Sequence, residues 1–285
     1  MKAAILFLSW NRIKYTQMSI KSIIENTNRE KYELLWWDNG STDEGMIDWI
    51  RATCIENKFS YIFFKKNQGL TRAMNNQMRI MNKMHSIDVF CHIANDIIVP
   101  LNWLDGVFEA IQSKKVGAVG LNLENKITET TLVDGIELEK ICYNGCIGGM
   151  HYCIPKWIFD LLGGFREVRL LYGQQDANYS LQIKLLPMEI WDYYLPLKKY
   201  KGEHLGETGK IYDQYEQEIR QKLKRSGSDI NAGRGYRDIL RKFRSEYDCK
   251  KISAEKLIQK LRDDQPQLLT DKSQILETNI IEWIE

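Results

Sequence analysis

The sequence carries almost no net charge. Its 40 Lys and Arg residues nearly cancel 38 Asp and Glu, leaving +2 over 285 residues. That balance excludes a nucleic-acid partner held by global electrostatics. No apolar window approaches the roughly 18 residues that a membrane span needs. Internal repeats and low-complexity tracts are absent. Histidine is scarce, with four in the chain, and no Ser-His-Asp or Cys-His arrangement offers a protein nucleophile. The six cysteines (Cys54, Cys91, Cys142, Cys146, Cys153 and Cys249) form no C-x-x-C pair. Cys142 and Cys146 are too widely spaced for a tight zinc knuckle, and no His cluster completes them. They read as free thiols of a reducing compartment. The opening run Met1 to Trp10 is too short for a secretion signal and reads as a first strand. The expected location is cytoplasmic, at most peripheral to a membrane.

What is present is an ordinary globular composition, 44% hydrophobic and 27% charged, long enough to bury a sizeable core. Ala3 to Leu8 is continuously apolar, as a parallel strand covered on both faces must be. Lys14 to Ile24 repeats its apolar residues at helical spacing. Glu33 to Trp37, Tyr61 to Phe64 and Val89 to Ala94 read as further strands. Helices are predicted at Met46 to Ile55 and Leu70 to Met84. This alternation predicts a doubly wound, Rossmann-like α/β fold with a mostly parallel sheet flanked by helices. Further on come a helix at Trp103 to Gln112, a strand at Val116 to Leu121 and a helix at Ile154 to Leu162. Gly163-Gly164 supplies the C-cap of the last. From about residue 211 the chain turns helical and charged.

Polar residues stand just after the carboxyl ends of the first strands: Asn11, Asp38, Asn67 and Asp96. Open α/β sheets bind ligands along that edge. A turn former is also what any strand-end needs, so each residue alone has a purely structural reading.

The order of motifs resembles the family 2 glycosyltransferases of GT-A fold. The segments are Leu8-Ser9-Trp10-Asn11-Arg12, Trp37-Asp38-Asn39-Gly40-Ser41-Thr42-Asp43, and Asn67-x-Gly69 with Asn75. They continue with Asn95-Asp96-x-x-Val99-Pro100, Gly163-Gly164-Phe165 and Gln175-Asp176. The similarity covers roughly residues 3 to 205. It implies a GT-A domain over 1–210, with a nucleotide-binding half about 1–100 and an acceptor half about 101–210. A charged helical extension over 211–285 would follow.

The resemblance also implies roles. A nucleotide-sugar donor would be held by Ser9, Asn11, Arg12, Asp38, Asn39, Ser41, Asn67, Gly69, Asn75, Asn95 and Asp96. Asp38 would accept from a ring N–H of the base, which favours UDP over GDP or dTDP; its structural alternative is a turn or cap aspartate. Asp43 suits a cap for the helix near Met46. The family's D-x-D signature binds a divalent metal, Mn or Mg, that stabilises the leaving diphosphate. Here Ala94-Asn95-Asp96 lacks the first acid, and Asp96 holds the position of the metal-binding carboxylate. His204 stands where family members carry a histidine completing that site. Asp176 corresponds to the general base that takes the acceptor proton, so the reaction would invert the anomeric carbon in one displacement. Gln175 replaces the family's Glu, and Asn178 and Gln182 replace a later Asp and Arg. Loss of a neighbouring negative charge predicts a lowered Asp176 pKa.

Gly148, Gly149 and Gln175 are candidate acceptor contacts, since paired glycines let backbone approach a sugar closely. Trp103, Tyr143, Tyr152, Trp157, Tyr172 and Trp191 offer stacking faces, or simply core. His85, His92 and His151 read as structural. Lys and Arg between Arg220 and Arg244 form either a solvated face or a basic surface for anionic membrane and a lipid-linked acceptor. Two other functions compete. A sugar-phosphate nucleotidyltransferase would need a Gly-rich basic loop after the first strand, and Ser9-Trp10-Asn11-Arg12 has no glycine. A non-catalytic nucleotide-sugar or glycan-binding protein draws support from the thinned acidic motifs.

Overall fold

A computed structural model describes residues 1–123, 126, 128–142, 145–165, 175–186, 189–208, 245–246, 251–263 and 272–280. Strands β1 (Ala3–Ser9), β2 (Tyr32–Asp38), β3 (Ser60–Phe64) and β4 (Val89–Ala94) run parallel. Helices α1 (Ile13–Asn26), α2 (Met46–Asn57) and α3 (Leu70–Met84) connect them. Every residue of β1 is buried. The pleat sends alternate side chains to opposite faces: Ala3, Ile5 and Phe7 enter one core with Met46, Ile50 and Cys54. Ala4, Leu6 and Leu8 enter a second core with Met74, Met78 and Met81 of α3. Each large apolar side chain buried this way contributes about 1.5–3 kcal/mol, so β1 is locked from both faces and its carboxyl end is held still.

The chain continues through β5 (Ile97–Ile98), α4 (Trp103–Ala110), β6 (Val116–Gly120), β7 (Glu129–Val133) and β8 (Ile136–Lys140). Then follow β9 (His151–Pro155), α5 (Lys156–Leu162), α6 (Gln175–Leu185), β10 (Trp191–Tyr194) and β11 (Glu203–His204). The last described elements are α7 (Ala254–Asp263) and β12 (Ile275–Thr278). One sheet has the order β12-β3-β2-β1-β4-β9-β6-β10-β8-β7, and β11 pairs with β5 in a small second sheet. The sheet is mixed: parallel through β1–β4, whereas β9 runs antiparallel to β4 and β6. The expectation of a mostly parallel sheet therefore describes its first half.

Three differences from the sequence reading have local causes. The β7–β8 hairpin falls where only irregular chain is expected; Asp134 (φ 51) and Gly135 (φ 87) form its two-residue turn, the left-handed pair of a type I′ hairpin. Residues Ile154 and Pro155 belong to β9, and the helix begins after Pro155 at Lys156. Within 211–285, expected to be helical, Ile275–Thr278 is instead a strand antiparallel to β3. Glu277 clamps it there, accepting from Arg51 Nε (2.8 Å), Arg51 Nη2 (2.5 Å) and Tyr61 Oη (2.8 Å). Asn279 Oδ1 accepts the Tyr61 N–H at 2.7 Å. Helix α7 places Leu257 in the second core with no exposure. The basic run between Arg220 and Arg244 lies outside the described residues. Among the described residues no helix is long and apolar enough to cross a membrane.

Strand β12 covers the open edge of β3, whose Ser60–Phe64 sequence is largely aromatic and aliphatic. A bare edge of that kind templates pairing with other chains. Truncation before Lys272 should therefore make the protein self-associate, read as concentration-dependent light scattering. A truncated protein that stays monodisperse would show that β3 does not need its cover.

Candidate active site

Asn11 organises the rim of the sheet. It follows β1 with φ 56, and Arg12 repeats the left-handed conformation with φ 63. Two consecutive non-glycine residues there cost about 1–2 kcal/mol each, and the surrounding hydrogen bonds hold them. The Asn11 N–H donates to Ser41 Oγ at 2.7 Å, and its Oδ1 accepts the N–H groups of Thr42 (2.6 Å) and Asp43 (3.3 Å). Its carbonyl accepts Asn95 Nδ2 at 3.1 Å; the same Nδ2 donates to Thr16 Oγ1 at 2.8 Å. Thr16 carries no motif signal and was not anticipated. Asp43 caps α1 rather than the helix at Met46: its Oδ2 accepts the Ile13 N–H at 3.1 Å, and Gly45 is the residue preceding α2.

Asp38, at the end of β2, has no solvent exposure. Its Oδ1 accepts the Ser41 N–H at 2.8 Å, and its Oδ2 accepts Ser41 Oγ (2.5 Å) and Ser9 Oγ (2.9 Å). Ser9 Oγ in turn accepts Trp36 Nε1 at 2.9 Å. Burial raises the Asp38 pKa, against which the hydrogen bonds from Ser41 and Ser9 work. With no exposure, this carboxylate meets a nucleobase only if the shell around it opens. Beside it Asn39 Nδ2 donates to Asn67 Oδ1 at 2.9 Å, and Asn67 Oδ1 accepts the Gly69 N–H at 2.8 Å. Gly69 has φ 88, which favours glycine. Thus Ser9, Asn11, Asp38, Asn39, Ser41, Asn67 and Gly69 come together as one cluster.

Asn75 lies apart from it. From α3 its Oδ1 accepts the Phe165 N–H at 2.7 Å, and its Nδ2 donates to the Phe165 carbonyl at 2.6 Å. A Cβ on Gly164 would fall 2.2 Å from Asn75 Oδ1, which explains the glycine there. Asn75 therefore clamps the Gly163-Gly164-Phe165 segment, and Asn95 braces the Asn11 loop.

Asp96 follows β4, and its backbone carbonyl accepts the Leu205 N–H at 2.9 Å. The β5–β11 pairing sets His204 opposite Ile97. Asp96 Oδ2 lies 2.9 Å from Arg12 Nη1 and 3.4 Å from His204 Nε2. Two ligands bound to one divalent ion at about 2.1 Å each sit about 3 Å apart, so Asp96 and His204 fit as a pair of metal ligands. Carboxylate oxygen and imidazole nitrogen suit a first-row divalent ion. Among the described residues no third His, Cys, Asp or Glu joins them.

Asp176 is the second residue of α6. Its Oδ2 accepts the Gly149 N–H at 2.9 Å, and its Oδ1 accepts the Ala177 N–H at 2.7 Å. A Cβ on Gly149 would press on Gln175 Nε2 (3.0 Å) and Asp176 Oδ2 (3.3 Å), so this approach favours glycine. The next residue, Met150, accepts the Ala94 N–H through its carbonyl at 2.9 Å. A short run of contacts thus links Asp176, by way of Gly149 and Met150, to the strand that ends beside Asp96. The Asp176 pKa is raised, contrary to the lowering expected from Gln175: burial outweighs the two backbone N–H donors and the Lys126 charge. Gln175 is buried, and among the described residues its Oε1 has no hydrogen-bond partner.

Behind the glycine loop lies an ion pair that sequence reasoning missed. Lys184 Nζ meets Asp192 Oδ1 at 2.9 Å, with both side chains fully buried. Lys184 also donates to the carbonyls of Gly145 (2.7 Å) and Cys142 (3.1 Å), fixing the start of the loop that ends at Gly149. Of the candidate stacking residues, Trp103 and Tyr152 are core, with no exposure; Tyr143 and Tyr172 lie outside the described residues. His92 and His151 are buried structural residues, and burial lowers their pKa values to about 4 and about 3. Cys54, Cys91, Cys142, Cys146 and Cys153 are free thiols; Cys249 lies outside the described residues. Asp192→Leu removes the carboxylate that meets the buried Lys184 ammonium, so it should cost about 3–5 kcal/mol in urea unfolding. Lys184→Met with Asp192→Leu should recover most of that. A single-variant loss below about 1 kcal/mol would mean that water reaches the pair.

Residues 5–145, about half of the chain, match the family model described as glycosyl transferase family 2. Among curated proteins nothing matches. The mannosyltransferase PcManGT from Pyrobaculum calidifontis, solved with GDP-Man and Mn2+, superposes at a TM-score of 0.50 and 17% identity. That alignment covers 68% of this chain and 55% of PcManGT. GalNAc-T7, solved with UDP, GalNAc and Mn2+, superposes at 0.56 and 12% identity, covering 72% of this chain and 44% of its own. S. aureus TarS 1-349 gives 0.54 at 13% identity, covering 72% and 60%. The chain spans about half the length of these solved proteins, and likeness at such identities concerns the fold. Residues 5–145 are thus a glycosyl transferase family 2 domain, within an α/β chain of GT-A fold.

Proposed function

We propose that the protein transfers a sugar from a nucleotide-sugar, UDP-linked by preference, to a hydroxyl of a glycan, glycolipid or glycoprotein, with inversion at the anomeric carbon. The observation that carries this reading is the contact run Asp176–Gly149 and Met150–Ala94, which gathers the candidate base and Asp96 at one rim of a family 2 domain. The donor lies over the β1–β4 carboxyl ends, where Asn39, Ser41, Asn67 and Gly69 line the base and ribose side. Ser41 Oγ is the group that yields if Asp38 takes a base N–H. Arg12 faces the diphosphate. Asp96 and His204 hold a divalent cation, Mn or Mg, which when bound neutralises charge on the departing nucleotide.

Asp176 takes the acceptor proton. Its two backbone donors fix the carboxylate's direction, and each oxygen keeps a lone pair for the incoming hydroxyl. Burial strengthens it as a base, and Gly148, Gly149 and Gln175 line the acceptor side. A basic run from Arg220 to Arg244 would seat the protein against anionic lipid on the cytoplasmic face, in reach of a lipid-linked acceptor.

A donor screen by thermal shift tests the reading: UDP, GDP, dTDP and their sugars, with and without Mn2+. A nucleotide at one hundred times its dissociation constant should stabilise the fold by about 2.7 kcal/mol. The shift should need Mn2+ and vanish in Asp96→Ala. No response to any nucleotide would sink the proposal.

The pH profile tests Asp176. A carboxylate with raised pKa loses its basic form as pH falls, and does so earlier than ordinary aspartate. The acid limb of kcat/KM should therefore lie above 3.8, the usual aspartate value. The Lys126 charge holds that pKa down, so Lys126→Gln should move the limb higher still. Asp176→Asn should reduce kcat by about 100-fold or more. An unmoved limb in Lys126→Gln, with full activity in Asp176→Asn, would assign the base elsewhere.

A further inference from the structure

The Asp96 carboxylate already holds a cation, the guanidinium of Arg12. The contact is enclosed, with the two side chains 20% and 7% exposed. It is also aimed. Arg12 sits in a left-handed conformation beside Asn11, whose side chain and backbone are tied to Ser41, Thr42, Asp43 and Asn95. Arg12 Nη1 approaches Oδ2, the same oxygen that faces His204 Nε2. A divalent ion seated between Asp96 and His204 would meet the guanidinium at the oxygen it needs.

Charge decides what this corner attracts. Among the described residues the carboxylate and the guanidinium cancel, so a divalent cation arriving alone gains little from Coulomb attraction. A nucleoside diphosphate changes the balance. Its oxygens carry negative charge and match the guanidinium's paired donors better than one carboxylate oxygen does.

We infer that Arg12 is a counter-ion switch: it keeps Asp96 closed to a divalent cation until a donor diphosphate draws the guanidinium away, so that cation and donor load together. This rests on the donor-site reading above. Coupling of two ligands is reciprocal, so the nucleotide raises cation affinity by the factor by which the cation raises nucleotide affinity. Arg12 carries part of that factor.

The test titrates Mn2+ alone into the full chain, with free Mn2+ read by electron paramagnetic resonance. Arg12→Gln should bind Mn2+ about tenfold tighter than wild type, because a unit charge about 5 Å from a divalent ion is worth about that factor even at water-like screening. Arg12→Lys keeps the charge and should stay near wild type. Adding Asp96→Asn to Arg12→Gln should abolish the gain. With UDP present, wild-type affinity for Mn2+ should rise, and that rise should shrink in Arg12→Gln. Equal Mn2+ affinity in wild type and Arg12→Gln, weak or tight, overturns the switch. The underlying reading fails separately, when no nucleoside diphosphate shifts the melting temperature of the wild type.

Discussion

One buried side chain holds the rim together. Asn11 receives or donates hydrogen bonds with the β2 turn through Ser41, Thr42 and Asp43, and with the β4 end through Asn95. Its amide oxygen does what a helix cap does, satisfying backbone N–H groups that would otherwise be orphaned. The left-handed strain at Asn11 and Arg12 persists because so many partners over-determine the loop. Sites of this kind depend on rigid support beneath, and β1 supplies it. All seven of its residues are buried between two cores, so the loop starts from a point that cannot drift. Asp38, Asp43 and Asp96 are each placed relative to that loop. Remove the amide oxygen of Asn11 and the loop loses its side-chain hold on Thr42 and Asp43 of the β2 turn.

The glycine loop beside Asp176 is built by a different device. There the support is electrostatic: Lys184 and Asp192, both fully buried, with Lys184 also holding the carbonyls of Gly145 and Cys142. A buried ion pair is a poor source of net stability. Its value lies in direction, since the ammonium's three donors can be satisfied together in one loop conformation. That conformation delivers the Gly149 N–H to Asp176 and the Met150 carbonyl to Ala94. The two halves therefore meet through one backbone pair, Ala94 with Met150, and through the Asp176 carboxylate on the Gly149 N–H, a close approach that glycine at 149 permits.

Much of the first half was legible because parallel strands buried on both faces must be continuous apolar runs, and each helix carried its own period. The antiparallel half hides its pattern. Strand β7 is mostly exposed, so its apolar signal is thin, although Asp134-Gly135 marks the hairpin for a reader looking for type I′ turns. Strand β12 could not be read at all: its partner lies more than 200 residues earlier, and nothing local in Ile275–Thr278 names β3. Among the candidate site residues, motif order brought Asp38, Asp96, Asp176 and His204 into view. It could not say that Asn75 and Asn95 turn to the backbone of Phe165 and Asn11, because an amide looks the same in sequence whether it faces ligand or chain. Lys184 and Asp192 were illegible for the same reason: pairing across α6 and β10 is a fact of packing. The pKa expectation for Asp176 failed because it weighed a neighbour's charge and not burial.

Burial raises the pKa of three carboxylates at or near the site, and their partners separate their uses. Asp38 is closed by the hydroxyls of Ser9 and Ser41 and by a backbone N–H, a neutral shell that suits a structural brace. Asp192 is closed by a buried ammonium, which favours its charged form but leaves it no reason to exchange protons. Asp176 has neither: among the described residues its donors are two backbone N–H groups, and Lys126 acts on it only through charge. Environments that divide like groups in this way are how a single residue type takes distinct roles in one fold. Of the three, Asp176 alone is partly exposed, and the hydrogen bonds it accepts from the described residues come from backbone N–H groups. Access to solvent and neutral backbone donors are what the proposed role of Asp176 as proton acceptor requires.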